Sequence, residues 1–246
     1  MARMVELCVF GSGALQYDDG RQRHPLATQP KRLALLVYLA LATARGYHRR
    51  DRLLGLFWPE LDQSRARAAL RKAVHGLRQA LGIGVLISRG EDEVGLAVEG
   101  LRCDALEFEQ AIENAQPARA LEVYRADLLE GFFLPNGGEF EQWLEERRTH
   151  YRRQAATAAW VLAQRYESES EMTRAVESAR KAATLAPLDE RVVRKVIGML
   201  DRVGDRAGAV TLYEHFRARL LDELGVEPAP ETTELVSAVR NRRALQ

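Results

Sequence analysis

DQSRARAALRKAVHGLRQALG, residues 62–82, decides how the first half of this chain folds and what it faces. At about 100° per residue, Ala66, Leu70, Ala73, Val74, Leu77 and Leu81 fall within about 60° of one line, the stripe by which a helix packs on a core. Asp62 stands where an N-cap acceptor is wanted. The opposite arc carries Ser64, Arg65, Ala68, Arg71, Lys72, His75, Arg78 and Gln79, and Arg67 flanks the stripe. No acidic residue lies between Asp62 and Glu91. Solvated helices usually mix signs, because opposite charges four residues apart each contribute about 0.2–0.5 kcal/mol and like charges cost similar amounts. The stretch EFEQWLEERRTHYRRQ, residues 139–154, mixes them in this way. The 64–79 arc does not, and it predicts a helix that offers cations to a polyanion.

Upstream, PKRLALLVYLALATARG (30–46) has Pro30 at a first helical position, apolar residues at Leu33, Leu36, Val37, Ala40 and Leu41, and Gly46 as a stop. HRRDRLLGLFWP (48–59) reads as a shorter helix with Leu53, Leu54, Phe57 and Trp58 inward, closed by Pro59. Before them, VELCVF and ALQY are short apolar runs separated by Gly11-Ser12-Gly13 and followed by the turn signal Asp18-Asp19-Gly20, which predicts a small antiparallel sheet. Downstream, Val85 to Ser88 and Val94 to Val98 are β-rich runs around the acidic tip Glu91-Asp92-Glu93, which predicts a β-hairpin. A small sheet, three helices and a hairpin are the elements of a winged helix, whose third helix enters DNA and whose hairpin is the wing.

The remainder is helical by period: Ala105 to Ala115, Ala118 to Glu130, Glu139 to about Glu167, Thr173 to Leu185, Glu190 to Val203, Ala207 to Leu224, and a last helix after Glu231. A shift of 34 residues lays RAVESARKA (174–182) on GAVTLYEHF (208–216) and superposes Ala175-Val176 on Ala209-Val210. That period is the tetratricopeptide repeat's, with small residues where paired helices approach. The expected fold is therefore mainly α: a winged helix-turn-helix domain at 1–103, then an all-α tetratricopeptide-like domain at 104–246.

Charge supports the division. The net charge of +1 hides 16 Lys and Arg against 11 Asp and Glu in residues 1–104, and 20 against 24 in the rest. A basic front half points to a polyanionic partner. Enzymatic chemistry has little to stand on: the histidines at 24, 48, 75, 150 and 215 form no metal spacing, and Gly11-Ser12-Gly13 lacks the rest of a nucleotide loop. No cofactor is expected. Cys8 and Cys103 lie far apart and read as reduced, buried and silent. No apolar run approaches the roughly 18 residues of a membrane span, and Glu6 interrupts any secretory leader, so a cytoplasmic protein is expected.

On double-stranded DNA the arc has defined chemistry. Arg65, Arg71, Lys72 and Arg78 suit guanine O6 and N7, His75, Gln79 and Ser64 suit polar base edges, and Ala68 leaves room for a thymine methyl. Lys31, Arg49 and Arg50, near helix starts, together with Arg67 and Arg89, suit phosphates. A second reading treats the repeats as a protein-binding adaptor, with Trp143, Tyr151, Trp160 and Tyr166 lining a groove and the basic helix meeting an acidic protein.

Beyond these patterns, LGLFWPELDQSRARAALRKAVHGLRQALG, LISRGEDEVGLAV, CDALEFEQAI and the long phrase from Leu185 to Leu235, above all LGVEPAPET at 224–232, resemble the Streptomyces antibiotic regulatory protein type of activator. That family joins an OmpR-type winged helix to a bacterial transcriptional activator domain. The resemblance implies sequence-specific binding at promoters, side-by-side protomers on direct repeats, and recruitment of RNA polymerase. It lays the recognition helix on Asp62 to Leu81, the wing on Val85 to Val98 and the activator domain on about Asp104 to Arg240. The wing of such proteins commonly offers cations to the backbone, whereas the tip here is acidic and Arg89 is the hairpin's one cation.

Overall fold

The computed structural model describes residues 5–17, 29–43, 45–82, 84–97 and 101–241. The expected turn at Asp18 to Gly20 and the end of the second wing run at Val98 lie outside them. In chain order the described elements are β1 (Val5–Cys8), β2 (Ala14–Tyr17), α1 (Pro30–Leu41), β3 (Tyr47–Arg49), α2 (Arg50–Phe57), α3 (Gln63–Leu81), β4 (Leu86–Arg89), β5 (Glu93–Leu96), β6 (Leu101–Cys103), α4 (Asp104–Glu113), α5 (Pro117–Val123), α6 (Gly138–Ser168), α7 (Met172–Leu185), α8 (Glu190–Arg202), α9 (Arg206–Leu224) and α10 (Pro230–Asn241). They form two compact units. The first comprises residues 1–115 and 122–151, and the second comprises 116–121 and 152–246.

In the first unit, β1 pairs antiparallel with β2 and parallel with β6, in the order β2-β1-β6. The sheet is thus mixed rather than antiparallel. Leu-Arg-Cys at 101–103 is too short to show a period, and its pairing with Val5 to Leu7 joins residues almost a hundred apart. α1 begins on Pro30 and is buried from Leu33 to Leu41. It and α2 both pack against α3.

Residues 48 and 49, expected in the second helix, form β3 instead, and its pairing with β5 makes the wing three-stranded, in the order β3-β5-β4. The missed cue is Gly95, which lies opposite Tyr47. A Cβ there would stand 2.3 Å from the Gly46 carbonyl oxygen, so the two backbones approach as they do only because residue 95 is glycine.

The expected helix at 118–130 stops at Val123. The backbone of the following segment is engaged elsewhere: the Leu129 N–H donates to the Val9 carbonyl at 2.8 Å, and the Gly11 N–H to the Asp127 carbonyl at 3.0 Å. Arg148 donates to the carbonyls of Leu128, Leu129 and Phe132 at 2.9, 2.6 and 3.3 Å. Nearby, Asp104 accepts from the Val9, Phe10 and Ala105 N–H groups at 2.8, 3.0 and 2.8 Å, which ties the end of β1 to the start of α4. Phe10, Phe108, Tyr124 and Tyr151 meet in edge-on and tilted ring contacts behind it.

In the second unit, α7 packs on α8, α8 on α9, and α10 against both α8 and α9. Ala175 and Ala209, matched by the 34-residue shift, are both fully buried, and Val176 and Val210 pack at the edge of the same core. Asp189 caps α8 through the Arg191 and Val192 N–H groups, and Asp205 caps α9 through Gly208 N–H at 2.9 Å. Glu190 accepts from Thr232 Oγ1 at 2.5 Å and Ala229 N–H at 2.8 Å, which docks the start of α10 on α8.

Asp104→Ala leaves buried N–H donors without an acceptor and is expected to cost about 2–3 kcal/mol in urea denaturation; a loss under about half a kcal/mol would show that water or backbone shifts replace the carboxylate. His48, buried on β3 with Nε2 unpartnered among the described residues, sits below its ordinary value of 6.5 because of burial first and Arg52 second. The unfolded chain therefore takes up the proton first as pH falls, so stability present above about pH 6.5 declines below it. The urea midpoint should drop from about pH 7.5 to about pH 5.5 and drop less in His48→Gln; equal drops in both would place the acid sensitivity on another group.

Candidate nucleic-acid interface

α3 separates its two faces as its period requires. Ala66, Leu70, Ala73, Val74, Leu77 and Leu81 are buried, and Ser64, Arg65, Ala68, Arg71, Lys72, His75, Arg78 and Gln79 are exposed. The Asp62 carboxylate caps the helix by accepting the Arg65 N–H at 3.0 Å.

The cations differ in what holds them. Arg65 pairs with Asp62 at 3.3 Å, and Asp51 faces both Arg49 and Arg67 at 3.9 and 3.7 Å. Lys31 pairs with Glu60 at 2.6 Å and lies over the Trp58 ring. Arg89 pairs with Glu93 across the hairpin and stacks on Tyr47 at 4.7 Å. These pairs are solvated and weak, about 0–1 kcal/mol each, so they orient the cations without withholding them from a phosphate.

Arg78 is held differently. It donates to Ser88 Oγ at 2.8 Å and to the Leu86 carbonyl at 3.4 Å, so it also serves as a strut between α3 and β4. Among the described residues, the side chains of Arg71, Lys72, His75 and Gln79 have no hydrogen-bond or ion-pair partner.

Between α3, the start of α2 and the wing tip lies a cleft of about 660 Å³, floored by Leu70 and Val74. Arg50, Arg67, Arg71, His75 and Arg78 line it, and so do Asp51, Glu91 and Asp92. The tip is tied down, since the Arg50 N–H donates to the Asp92 carbonyl at 2.8 Å. Burial, then the neighbouring Arg78 and Arg71, lower the affinity of Arg50 for its proton, and Asp92 and Glu91 oppose them. Arg50 Nε is buried with no hydrogen-bond partner among the described residues.

This arrangement alters one inference from the sequence. The cationic arc is compensated where it meets the wing, because Asp51, Glu91 and Asp92 enter from elements whose proximity the linear sequence does not show. Ser88 as a holder of Arg78 and Arg50 was likewise invisible; only the register of a hairpin folded back onto α3 brings it there.

The other reactive groups are quiet. Cys103 is buried as expected, whereas Cys8 is only half-buried; burial still pushes the Cys8 thiol up to about 11 and Cys103 further upward, so neither is a thiolate at neutral pH. Among the described residues no cluster of three His, Cys, Asp or Glu side chains is arranged to hold a metal, and no helix is long and apolar enough to cross a membrane.

A family model for the bacterial transcriptional activator domain matches residues 93–240. The regulatory protein AfsR of Streptomyces coelicolor is 30% identical over 251 residues, covering 91% of this chain and 24% of that protein. Its Streptomyces griseus counterpart is 28% identical over 221 residues, covering 84% and 22%. The chain thus spans about a quarter of the length of these relatives. Among solved structures, Mycobacterium tuberculosis EmbR in complex with a low-affinity phosphopeptide has a similar fold, with a TM-score of 0.67 at 20% identity over 98% of this chain and 66% of that one.

Proposed function

Because the chain belongs to the bacterial transcriptional activator domain family, we propose that it is a transcription regulator of the Streptomyces antibiotic regulatory protein type, which binds promoter DNA through α3 and activates transcription by recruiting RNA polymerase. In this reading residues 1–103 are the DNA-binding domain and 104–246 the activator domain. Protomers sit side by side on direct repeats in the cytoplasm, and the role is one of binding, with no catalytic step and no cofactor.

One observation carries the reading: α3 is clamped by a buried stripe and turns outward an arc on which the Arg71, Lys72, His75 and Gln79 side chains lack partners among the described residues. Ala68 within that arc lets the helix backbone come close to a base edge. The assigned roles are base reading for Ser64, Arg65, Ala68, Arg71, Lys72, His75, Arg78 and Gln79, and phosphate contact for Lys31, Arg49, Arg50, Arg67 and Arg89. Arg78 would read bases only with the donors that Ser88 and Leu86 leave over.

Of the adaptor reading's groove residues Tyr151 is fully buried, whereas Trp143, which packs on Tyr38 and Phe140, and Trp160 and Tyr166, which pack against the second unit's core, are half-buried.

Fluorescence anisotropy with a nonspecific duplex tests the DNA reading. A Kd of about 1–100 μM is expected, weakening about a hundredfold from about 50 to 200 mM salt if roughly four phosphates are neutralised. Absence of binding at low salt would favour a protein partner. With a true site in hand, Arg71→Ala and His75→Ala should each reduce discrimination against random DNA by about 1–3 kcal/mol. Arg49→Ala should instead weaken all sequences alike, and a loss confined to the true site would make it a base reader.

A further inference from the structure

The cleft beside α3 sets four guanidinium groups, Arg50, Arg67, Arg71 and Arg78, against three carboxylates, Asp51, Glu91 and Asp92. Asp51 already faces Arg49 and Arg67. At the base of the hairpin, Arg89 and Glu93 stand opposite each other in register and pair. Glu91 and Asp92 are therefore the wing-tip charges left over, and among the described residues neither has an ion pair within 4.0 Å. They are nevertheless held at the arginines, because the Asp92 carbonyl is bonded to the Arg50 N–H and the loop between β4 and β5 is only three residues long.

On the strength of the DNA-binding reading above, we propose that Glu91 and Asp92 are a built-in counter-anion for the arginine cleft, with which a duplex phosphate must compete. Each phosphate that a cation neutralises frees cations condensed on the DNA, and that release drives nonspecific affinity; a guanidinium already offset by a fixed carboxylate neutralises a phosphate less fully and so frees fewer. An incoming phosphate also meets the carboxylates directly, in a half-enclosed cleft where screening is weaker than in open water. Both effects act in one direction. The wing tip restrains attachment driven by phosphate alone and leaves a larger share of the binding to base contacts made by α3.

The test compares the intact chain with Glu91→Gln/Asp92→Asn, isosteric changes at an exposed loop, and with a charge-matched control, Asp222→Asn/Glu234→Gln, on α9 and α10. Circular dichroism first establishes that all three are equally folded, and each is then titrated with a nonspecific duplex over a range of salt. The tip variant is expected to bind about five- to fiftyfold more tightly at low salt, and its plot of log affinity against log salt should steepen by about one to two. The control should match the intact chain. If the intact chain binds and the tip variant binds no more tightly, the proposal is overturned. An equal gain in the control overturns it too, by showing a net-charge effect and not a cleft effect. Failure of all three to bind overturns the DNA reading, and this inference with it.

Discussion

Burial of the α3 stripe is the constraint on which the rest depends. Leu70, Val74 and Leu77 are each at most 3% exposed, and each contributes about 1.5–3 kcal/mol by leaving water. No rotation of the helix keeps that gain, so the residues a half-turn away must face out. Cations gathered on that arc repel one another, yet the helix has no freedom to disperse them. The surface charge is thus a consequence of where the leucines lie, and the neighbouring elements are arranged to manage it.

They do so unevenly. Toward the wing, Ser88 holds Arg78, Asp51 stands between Arg49 and Arg67, and the acidic tip closes on Arg50. Arg71 and His75 line the cleft but bond to nothing in it, and Lys72 and Gln79 are likewise unpartnered among the described residues. A polyanion approaching α3 therefore meets two chemistries: side chains such as Lys72 and Gln79 that lack partners among the described residues, and a cleft where it must compete with carboxylates already present. The same economy of contacts appears elsewhere in the first unit, where Asp104 and Arg148 satisfy the backbone at the end of β1 and in the segment that follows α5.

The parts legible in the sequence are those written as a local period or cap. The α3 stripe, the Asp62 cap, the buried α1 and the matched burial of Ala175 and Ala209 all follow from spacing within one or two elements. The parts not legible depend on pairing across the chain. β6 is three residues whose partner lies at Val5 to Leu7, β3 is identified only by the close approach at Gly95, and α5 ends early because Leu129 bonds to Val9. The interface divides in the same way: its exposed arc was readable from α3 alone, whereas the carboxylates facing it come from α2 and the hairpin tip, and only the fold brings them there.

Selection of bound sequences from a random duplex pool tests the central claim most directly, because it requires recognition of bases as well as attraction to phosphate. The account predicts enrichment of a short motif that recurs in direct repeat at a spacing of about one helical turn, roughly 10–11 base pairs, and loss of enrichment at particular positions with Arg71→Ala or His75→Ala. A pool that binds without enriching any motif would contradict it, leaving α3 as a charged surface that reads nothing.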